Sequence, residues 1–558
     1  MDPNTTSGFS ADSTASLKSI PRTVLQWLLE EAYAYPVRFF FAITTLSLTY
    51  TVIHSISVRF RHLNQYPGPT WAPYTRLWLC KTMASADGAN KWVAINKQFG
   101  SLARIGPNHL LTDDPELTKR VLGARSPYVR GPSYNSAKID LHIRNVVSER
   151  DPAKHNRLRH QLSAGYAGKD VENFEAAVSE RIEDFVNRMD KNWISKPGDT
   201  KILDIATKIQ YLAMDTMSHL CFGQPIGFVE TDSDVSNFLQ GAQRIVSIAQ
   251  HLSIIPEITT LTDCIQSLPW LGKMLTVSAG DKTGFGMILG IARKIVNERF
   301  ESKEPGEVKR DILGSFIRHG LSQKPAELEI IITLFAGADG IATSARAILL
   351  FIISNDRVRT RLQNEIDEAI SRGKISSPIQ EEEARKLPYL QACIKEGLRR
   401  FPPLAQLRER SAPPEGDTYN GQHIPGGTLI CLNTWGSQLN PVFGEDPEVF
   451  RPERWLIDDE ERLNEMNHVQ DLVFGYGDTK CLGMPTASIA MNKILVEVST
   501  GKTRRGYVDI VLRANNGLVS QLLRRFDISV VNPTRPWTSL CYGAFFQKDF
   551  NVTVTRRA

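Results

Sequence analysis

Hydrophobic residues recur at helical spacing along most of this chain, and residues 39–58 form its first continuous apolar stretch. The stretch contains no Asp, Glu, Lys or Arg. As a helix that rises about 1.5 Å per residue, it just spans a hydrocarbon core of about 30 Å. Arg59, Arg61 and His62 follow it and favour a cytoplasmic side after the span. Because no small-residue cleavage site follows, the pattern predicts an uncleaved transmembrane signal anchor; a long buried helix is the alternative.

A second long apolar stretch, residues 328–353, predicts a helix buried in the core. Gly337 and Gly340 interrupt it, and each costs a helix about 1 kcal/mol relative to alanine. Asp339 stands between them, and a buried acid needs a partner or a function. The interruption therefore indicates a functional or packing reason at this point of the helix.

The rest of the chain alternates shorter helical patterns with turn-rich segments. Asp151 before Pro152 predicts a helix start, and residues 168–309 keep a helical period with few motifs. Residues 412–428 predict short strands, and the alternation in residues 531–557 predicts a β-hairpin. Together the patterns predict a mainly α protein with small β-sheets. Around the anchor we expect a polar N-terminal segment, a basic and proline-rich hinge and one large domain, at residues 1–38, 59–70 and 71–558.

The composition is that of an ordinary globular protein, with 42% of the 558 residues hydrophobic and 23% charged. The net charge is +5, and no basic run is interleaved with aromatic residues, which argues against a nucleic-acid partner. The seven cysteines are odd in number and widely scattered. This favours reduced thiols in a cytosol-facing protein over a disulfide framework or a zinc site.

One cysteine stands apart because glycines and an aromatic residue surround it at fixed spacing. Phe474, Gly477, Cys481 and Gly483 form the pattern Phe-x-x-Gly-x-x-x-Cys-x-Gly. Glycines let the backbone turn tightly and approach a flat partner, and a cysteine thiolate is a soft axial ligand for iron. A buried structural cysteine in a turn is the simpler interpretation of this loop alone. The full spacing resembles the haem-ligand loop of the cytochromes P450.

Further motifs occur in the order typical of that family. Tyr-Pro-Gly-Pro at residues 66–69 resembles the hinge of its microsomal members. His155 and Arg159 lie at i and i+4 after Pro152 and resemble the family's C helix, although a surface stripe explains this spacing equally well. Residues 336–344 resemble its I helix, in which the acid belongs to a proton-delivery chain.

The C-terminal half carries a charged motif of the same family. Glu396 and Arg399 form a Glu-x-x-Arg pattern, which alone means little because ion pairs at i,i+3 are common on helices. Arg454 follows in a Pro-Glu-Arg segment. By the resemblance, these three residues would form a buried ion-pair triad with a structural role and no catalytic one.

The resemblance covers about residues 66–558 and implies the cytochrome P450 fold with bound haem b. Cys481 would be the axial ligand of the haem iron, and Asp339 and Thr343 are the candidate catalytic residues. Either Arg408 or Arg410 would contact a haem propionate, and the distance from the following Pro/Gly stretch favours Arg410. The expected cofactor-binding residues are His155, Arg159, Arg410, Phe474, Gly477 and Gly483.

Two positions depart from the family pattern. Gly340 stands where the family usually has Thr, so the hydroxyl would come from water, from substrate, or from Thr343 about one turn further along, at about 5 Å of helix rise. Thr479 stands where a basic residue is common, and the neighbouring Lys480 is expected to point the other way in an extended loop. One propionate contact is therefore open to question.

The resemblance implies a monooxygenase that inserts one oxygen atom from O2 into an apolar organic substrate. NADPH–cytochrome P450 reductase would supply electrons near Lys480, with cytochrome b5 as a further partner, at the endoplasmic reticulum membrane. The C-terminal ending resembles that of the fungal pisatin demethylase-like group, which suggests secondary metabolism or xenobiotic oxidation. Two alternatives are a haem-thiolate isomerase or dehydratase that consumes no O2, favoured by Gly340, and an inactive haem-binding membrane protein, favoured by Thr479 and by an insertion.

That insertion, residues 498–521, separates two pieces of one helical pattern. Residues 486–497 predict an apolar-faced helix that would continue directly into residues 522–527, but the segment between them has no helical period. Val-Ser at its start and Gln at its end are compatible with the codons of intron boundaries. We therefore expect a retained intron in the gene prediction, and a genuine surface loop is the alternative.

Overall fold

The structure, a computed structural model, describes most of the chain beyond residue 62. Its described residues are 44, 45, 47, 49, 50, 63–140, 142–255, 257–258, 260, 280, 284–301, 309–499 and 526–556. The predicted anchor lies outside them except for five helical residues, and residues 500–521 of the suspected insertion lie outside them entirely. The chain divides into two compact units, Met1–Asn64 and Gln65–Ala558, and every element named below belongs to the second.

Helices are the main elements of this unit, as the sequence predicted. In chain order they are α1 Leu77–Ala84, α2 Gly88–Phe99, α3 Pro115–Leu122, α4 Pro152–Tyr166, α5 Phe174–Asn192, α6 Ile205–Phe222, α7 Phe228–Thr231, α8 Phe238–Ile254, α9 Gly284–Glu301, α10 Ile312–Arg318, α11 Gln323–Ile353, α12 Asp356–Ser371, α13 Glu381–Arg385, α14 Pro388–Arg400, α15 Thr434–Ser437, α16 Glu460–Gln470 and α17 Met484–Ser499.

The long helix α11 forms the centre of the core. Its sequence is apolar on nearly every face, and it packs against α6, α9, α14 and α17. Among the described residues it is the one helix long and apolar enough to cross a membrane, but 72% of its most apolar window is buried inside the protein. Its hydropathy is therefore explained by burial in the core, as the sequence predicted.

The strands form small sheets at the edges of the helical core. They are β1 Leu102–Gly106, β2 His109–Thr112, β3 Val129–Arg130, β4 Ile202–Asp204, β5 Arg410–Ser411, β6 Asp417–Tyr419, β7 Gln422–Ile424, β8 Leu429–Leu432, β9 Phe526–Val530, β10 Thr538–Cys541, β11 Phe545–Lys548 and β12 Asn551–Arg556. The largest sheet has the order β1-β2-β8-β5-β3, and the others are β4-β12-β9, β6-β7 and β10-β11. The expected C-terminal hairpin is the antiparallel pair β10–β11.

Helix α4 begins where the sequence predicted. The Asp151 carboxylate accepts a hydrogen bond from the backbone N–H of Lys154 at 2.9 Å, and Pro152 occupies the first helical position. This cap fixes the start of α4, so His155 faces the core and is buried one turn later.

The Glu396, Arg399 and Arg454 side chains come together in the core, as the resemblance implied. Arg399 donates from Nη2 to Glu396 Oε1 at 2.7 Å and from Nε to Oε2 at 2.9 Å, and Arg454 Nε donates to Oε1 at 2.9 Å. Trp455 Nε1 and the Arg451 N–H also donate to this carboxylate. Burial raises the pKa of Glu396, but the Arg399 hydrogen bond and both positive charges outweigh burial and hold it below its usual value. A fully satisfied buried ion pair of this kind has a structural role.

Candidate active site

The cysteine loop consists of two 3-10 turns followed by a short connection to helix α17. Asp471–Phe474 and Gly477–Thr479 form the turns, and the Cys481 N–H donates to the Phe474 carbonyl at 2.7 Å. Gly477 has φ +56°, and a Cβ there would lie 2.3 Å from the Leu122 carbonyl oxygen. Glycine at position 477 is therefore required by both backbone conformation and packing. The Phe474 ring is half-buried against the core beside this loop.

Gly483 takes no part in the tight turn of the loop. Its φ is outside the left-handed region, and a Cβ at this position would make only ordinary contacts, 3.8 Å from the Tyr166 ring and 4.0 Å from Cys481 Sγ. The tight turn is instead made by Gly477 and by Gly475, which has φ +79°. The expectation that Gly483 allows the turn was therefore wrong, because the turn is complete before Cys481.

The Cys481 thiol is placed for metal ligation. Among the described cysteines it is the exposed one; Cys80 is half-buried and the others are buried. Desolvation by the surrounding protein raises the pKa of the thiol above its usual value, and the N–H groups of Gly483 and Met484 and the charges of Arg159 and Arg408 offset only part of this rise. An accessible sulfur beside these donors and cations is placed to lose its proton on binding a metal ion and to ligate it as a thiolate.

A cluster of arginines lies near this loop. Arg130 and Arg410 are directly opposite each other in the pairing of β3 with β5. The Tyr134 ring lies against both, with its centroid 5.0 Å from the Arg130 guanidinium carbon and 5.1 Å from that of Arg410. Arg410 Nη1 also donates to the Tyr134 hydroxyl at 2.5 Å. Burial raises the pKa of Tyr134, but these two charges outweigh it and lower the pKa below its usual value.

His155 and Arg159 are both near the cluster, but in different positions. Burial and the Arg130 charge lower the pKa of His155 to about 4, so its ring is neutral at neutral pH. Arg130 Nη2 donates to His155 Nε2 at 3.0 Å, and Nδ1 then donates to the Asn156 side-chain oxygen at 3.2 Å. His155 therefore supports Arg130, and its direct contact with a propionate stays a prediction. Arg159 is half-buried and acts on the Cys481 sulfur through its charge.

Arg408 lies in the same region, and its backbone conformation is strained. Its φ is +39°, which is unusual for a residue other than glycine. Its guanidinium donates to Thr434 Oγ1 at 2.5 Å and approaches the Leu472 carbonyl at 3.4 Å, beside the cysteine loop. Arg410 instead contacts Tyr134, so the two candidate arginines occupy different sides of one cationic region.

This region fits a bound dianion. Within the described part of the chain, no carboxylate lies within 4 Å of the guanidinium groups of Arg130, Arg159, Arg408 or Arg410. Arg130 Nε is buried and has no hydrogen-bond partner among the described residues. The buried acid Glu409 accepts from the Ser133 N–H at 2.7 Å and does not pair with these arginines. Converging guanidinium groups with an unused buried donor match two carboxylates, such as the propionates of haem b.

Thr479 and the neighbouring Lys480 both have local partners, in agreement with the expectation that Lys480 points away from the propionate site. Lys480 Nζ lies 3.8 Å from the Asp471 carboxylate, and the Thr479 hydroxyl donates to the Tyr476 carbonyl at 3.1 Å. Sequence reasoning missed Arg130 and Tyr134, which come from the segment before α4. No local pattern marks them, because β3 has only two residues and its pairing with β5 joins distant parts of the chain.

Helix α11 has one face that borders open space. Ala336 is exposed and Asp339 half-buried, and a Cβ at Gly340 would meet no atom within 4 Å. At Gly337, in contrast, a Cβ would lie 2.6 Å from the Met217 side chain, so close packing requires this glycine. The two glycines therefore have different roles: Gly337 allows packing against α6, and Gly340 leaves room beside Asp339.

The hydroxyl groups further along α11 face away from that space. Thr343 is fully buried, and its Oγ1 has no hydrogen-bond partner in the described part of the chain. Ser344 donates its hydroxyl to the Gly340 carbonyl at 2.8 Å. This placement argues against direct contact of Thr343 with a molecule beside Gly340.

The Asp339 carboxyl group titrates close to neutral pH. Burial raises its pKa to about 6, and the positive charge of Arg346 limits the rise. A carboxyl group with such a pKa can both release and accept a proton near pH 7, which is the property required of a general acid or base.

The fold and the site together define a protein of the haem-thiolate class. Residues 67–498 match the Cytochrome P450 family, and the chain belongs to this family, as its motifs predicted. The match ends at the first residue of the suspected insertion. The described geometry supplies the thiol and the cationic region that the family's cofactor requires.

Several fungal proteins are similar over nearly their whole length. The chain is 34% identical to cytochrome P450 monooxygenase ABA1 of Pyricularia oryzae over 527 residues, which cover 92% of this chain and 96% of that protein. It is 33% identical to cytochrome P450 monooxygenase aba1 of Botryotinia fuckeliana over 500 residues, 88% of this chain and 92% of the relative. Identity to quiannulatic acid synthase of Emericella variicolor is 30% over 459 residues, 78% and 86% of the two chains. The chain is accordingly an oxidoreductase of the cytochrome P450 monooxygenase class.

Proposed function

We propose that this protein uses haem b, O2, two electrons and two protons to insert one oxygen atom into an apolar organic substrate, the other atom leaving as water. The single observation that carries the proposal is the accessible Cys481 thiol at the start of α17, beside a cationic region whose guanidinium groups have no carboxylate within 4 Å among the described residues. Cys481 would hold the iron, and Arg130, Arg159, Arg408, Arg410 and Tyr134 would hold the propionates. When bound, the haem supplies the activation of O2, and a thiolate ligand favours O–O cleavage.

The residues that would act next to bound O2 and substrate lie on α11. Asp339 holds or releases a proton at its carboxyl oxygens, and Gly340 leaves room beside it for a water molecule or a polar group of the substrate. The buried position of Thr343 favours these two sources of a hydroxyl over the Thr343 side chain. Small residues on this face of α11 thus provide space, and Asp339 provides the proton.

The cellular setting is part of the same proposal. Residues 39–58 would anchor the protein in the endoplasmic reticulum membrane with the catalytic domain in the cytosol, after a polar segment at 1–38 and before the hinge at 59–70. NADPH–cytochrome P450 reductase would donate electrons, with cytochrome b5 as a second donor. The similarity to fungal monooxygenases and the resemblance to the pisatin demethylase-like group support a role in secondary metabolism, and xenobiotic oxidation is the alternative role.

Gly340 favours one second candidate, a haem-thiolate isomerase or dehydratase. A reaction that consumes no O2 does not need a hydroxyl beside Asp339, and α11 presents none toward the open space in its described residues. Oxygen uptake measured with substrate and reductase separates the two candidates. Consumption of one O2 per product supports the monooxygenase, and product without O2 uptake overturns it.

The ferrous–carbon monoxide difference spectrum of the expressed protein tests the haem-thiolate site. We expect a strongly red-shifted Soret band that disappears in Cys481→Ser and remains in the control Cys80→Ser, which removes a half-buried thiol in α1. The same spectra are recorded for a chain without residues 498–521, and the mature transcript is sequenced across this segment. A band in either chain supports the proposal, and its absence from both overturns it in favour of an inactive haem-binding protein.

The deletion also tests the insertion proposal. A band only in the shortened chain, together with a transcript that lacks the segment, supports a retained intron. A mature transcript that contains the segment, or equal spectra from both chains, overturns that proposal and establishes a genuine loop.

A further inference from the structure

Gln250 carries a buried side-chain amide that the site described above does not use. It lies near the C-terminal end of α8 with 8% of its surface exposed. Its side-chain nitrogen and oxygen make no hydrogen bond within the described part of the chain. Because an amide has two donors and one acceptor, it is costly to bury without partners. The Gln250 amide therefore needs a partner from outside the described residues, such as a bound molecule.

A second amide, that of Gln406, lies at the same point of the fold. The two meet at Gly543, in the turn between β10 and β11, where φ is +93°. A Cβ at Gly543 would lie 2.7 Å from Gln250 Oε1 and 3.2 Å from Gln406 Cγ, so both backbone conformation and close approach require glycine there. Gln406 is half-buried, and its amide also makes no hydrogen bond among the described residues. Two unpaired amides thus lie at one hairpin turn.

Aromatic packing and one backbone hydrogen bond hold this turn in place. The Phe545 ring of β11 lies 4.7 Å from that of Phe401 and 5.3 Å from that of Trp435, measured between centroids. The Ala405 N–H donates to the Gly543 carbonyl at 2.9 Å. The turn is therefore fixed against the segment that follows α14, and the amides need little rearrangement to bind a ligand.

The segment that carries Gln406 leads directly to the candidate active site. Gln406 precedes Arg408 by two residues, which span at most about 7 Å of extended chain. The Arg408 guanidinium lies beside the cysteine loop. Leu404, on the same segment, pairs with Ala544 after the hairpin turn and is 44% exposed. An apolar surface therefore adjoins the two amides.

Helix α8 approaches the same site from another side. It packs against the 3-10 helix Pro132–Ala137, which carries Tyr134 of the cationic region. At its start, the Phe238 ring lies 6.1 Å from the Phe335 ring of α11, and Phe335 precedes the exposed Ala336. The helix that carries one amide thus extends from α11, close to its open face, to the hairpin turn.

The two amides suit a neutral oxygen group. They offer N–H donors and C=O acceptors and carry no net charge. A hydroxyl group can accept from one amide and donate to the other, and a carbonyl oxygen can accept from both. A carboxylate would bring a charge that neither amide compensates, which is unfavourable at a buried site.

We propose that Gln250 and Gln406 form a subsite for the polar end of the substrate, and that the substrate is an apolar molecule with one neutral oxygen group, a hydroxyl or a carbonyl. Hydrogen bonds at the hairpin turn would hold this end and so select the carbon atom that lies beside Asp339 and Gly340. The effect on the position of oxidation rests on the proposed monooxygenase function, whereas binding of the oxygen group does not.

Equilibrium dialysis of the holoenzyme tests the subsite with four probes that share one apolar ring: cyclododecane, cyclododecanol, cyclododecanone and cyclododecanecarboxylate. We expect Gln250→Met and Gln406→Met each to weaken binding of the alcohol and the ketone roughly fivefold to tenfold, for one lost hydrogen bond. Binding of cyclododecane should not change, because both substitutions keep an unbranched side chain of similar size. Gln243→Met, at an exposed glutamine of the same helix, is the matched control and should leave all four affinities unchanged.

A second measurement needs no variant. The infrared C=O band of carbonyl-13C cyclododecanone should move to lower wavenumber on binding to the unaltered protein, relative to its position in hexane, because N–H donors polarise the carbonyl group. A bound ketone whose band stays at the hexane position overturns the proposal, whatever the stability of the variants.

The remaining outcomes also decide the proposal. Equal losses for cyclododecane and the oxygenated probes would indicate a structural role and overturn it. Unchanged affinities in folded variants, or failure of the alcohol and the ketone to bind the unaltered protein, overturn it too. Tighter binding of the carboxylate than of the alcohol overturns the neutral group. The carbon monoxide spectrum of the same samples reports the haem site independently, so its failure would refute the enzyme while dialysis still decides the subsite.

Discussion

Arg130 and Arg410 are directly opposite each other across the pairing of β3 with β5, and the Tyr134 ring lies against both guanidinium groups. Like charges in this arrangement repel each other unless an anion compensates them. The Tyr134 hydroxyl already accepts from Arg410, so its own proton remains to be donated. These three side chains would together bind one propionate, in place of the basic residue that the family commonly has at the position of Thr479.

Tyr134→Phe tests this arrangement, because it keeps the ring between the arginines and removes only the hydroxyl. A lost hydrogen bond to a carboxylate is worth about 1 to 2 kcal/mol, so we expect haem to transfer to apomyoglobin roughly 5- to 30-fold faster. The Soret position should not change, since the thiolate ligand is unaffected. Tyr419→Phe is a matched control, because that hydroxyl donates to Asp114 at 2.7 Å in a different part of the molecule. Equal transfer rates in both variants would contradict the role of Tyr134.

The sequence predicted the parts of the site that depend on short spacing. The Asp151 cap, the Phe474–Cys481 part of the cysteine loop and the Glu396–Arg399 pair are each local, and the structure places them as expected. Arg130 and Tyr134 were missed because their role depends on pairing with β5, about 280 residues away. The orientation of the His155 ring was also not predicted from the sequence, since it depends on the hydrogen bond from Arg130.

Gly340 should tolerate a small side chain, because a Cβ there would meet no atom within 4 Å. Gly340→Ala is expected to fold normally but to form less product per O2, since its methyl group displaces the water or substrate group that supplies the hydroxyl. For one lost hydrogen bond of about 1 kcal/mol the loss is roughly fivefold. Gly340→Ser restores a hydroxyl and should recover most of the coupling. If the alanine variant couples as well as the unaltered enzyme, no such group acts beside Gly340.

Thr343→Val tests whether the Thr343 side chain supplies the hydroxyl, as opposed to water or the substrate. The Thr343 Oγ1 is buried and has no partner in the part of the chain that the structure describes, and an unsatisfied buried hydroxyl costs about 1 to 3 kcal/mol. We therefore expect equal or higher stability, by about 1 kcal/mol, and unchanged product formed per O2. Thermal unfolding and oxygen-electrode measurements check the two statements. A folded variant with impaired coupling would instead make Thr343 the catalytic hydroxyl.

Glu329 links helix α11 to the arginine cluster through the backbone of one residue, Val146. Its carboxyl oxygen accepts from the Val146 N–H at 2.7 Å, and the Val146 carbonyl accepts from Arg130 Nη1 at 2.7 Å. The second carboxyl oxygen is buried without a partner in the described part of the chain. An acid in this position holds the segment before α4 only while it remains uncharged, because no cation compensates its charge.

Glu329 should therefore make the protein less stable as the pH rises. Burial raises its pKa from 4.5 to about 8 in the folded protein, so between these values the folded state binds more protons than the unfolded state. Stability from this group is complete below about pH 4.5 and declines as the pH rises toward about 8, by a few kcal/mol in total, on the order of 1.4 kcal/mol per pH unit. Glu329→Gln keeps an oxygen for the Val146 N–H and cannot ionise. Unfolding temperatures measured from pH 5 to pH 8 should fall more steeply in the unaltered protein than in Glu329→Gln, with Glu461→Gln, an exposed acid of α16, as the control. Parallel curves for all three proteins would show that Glu329 does not change its charge in this range.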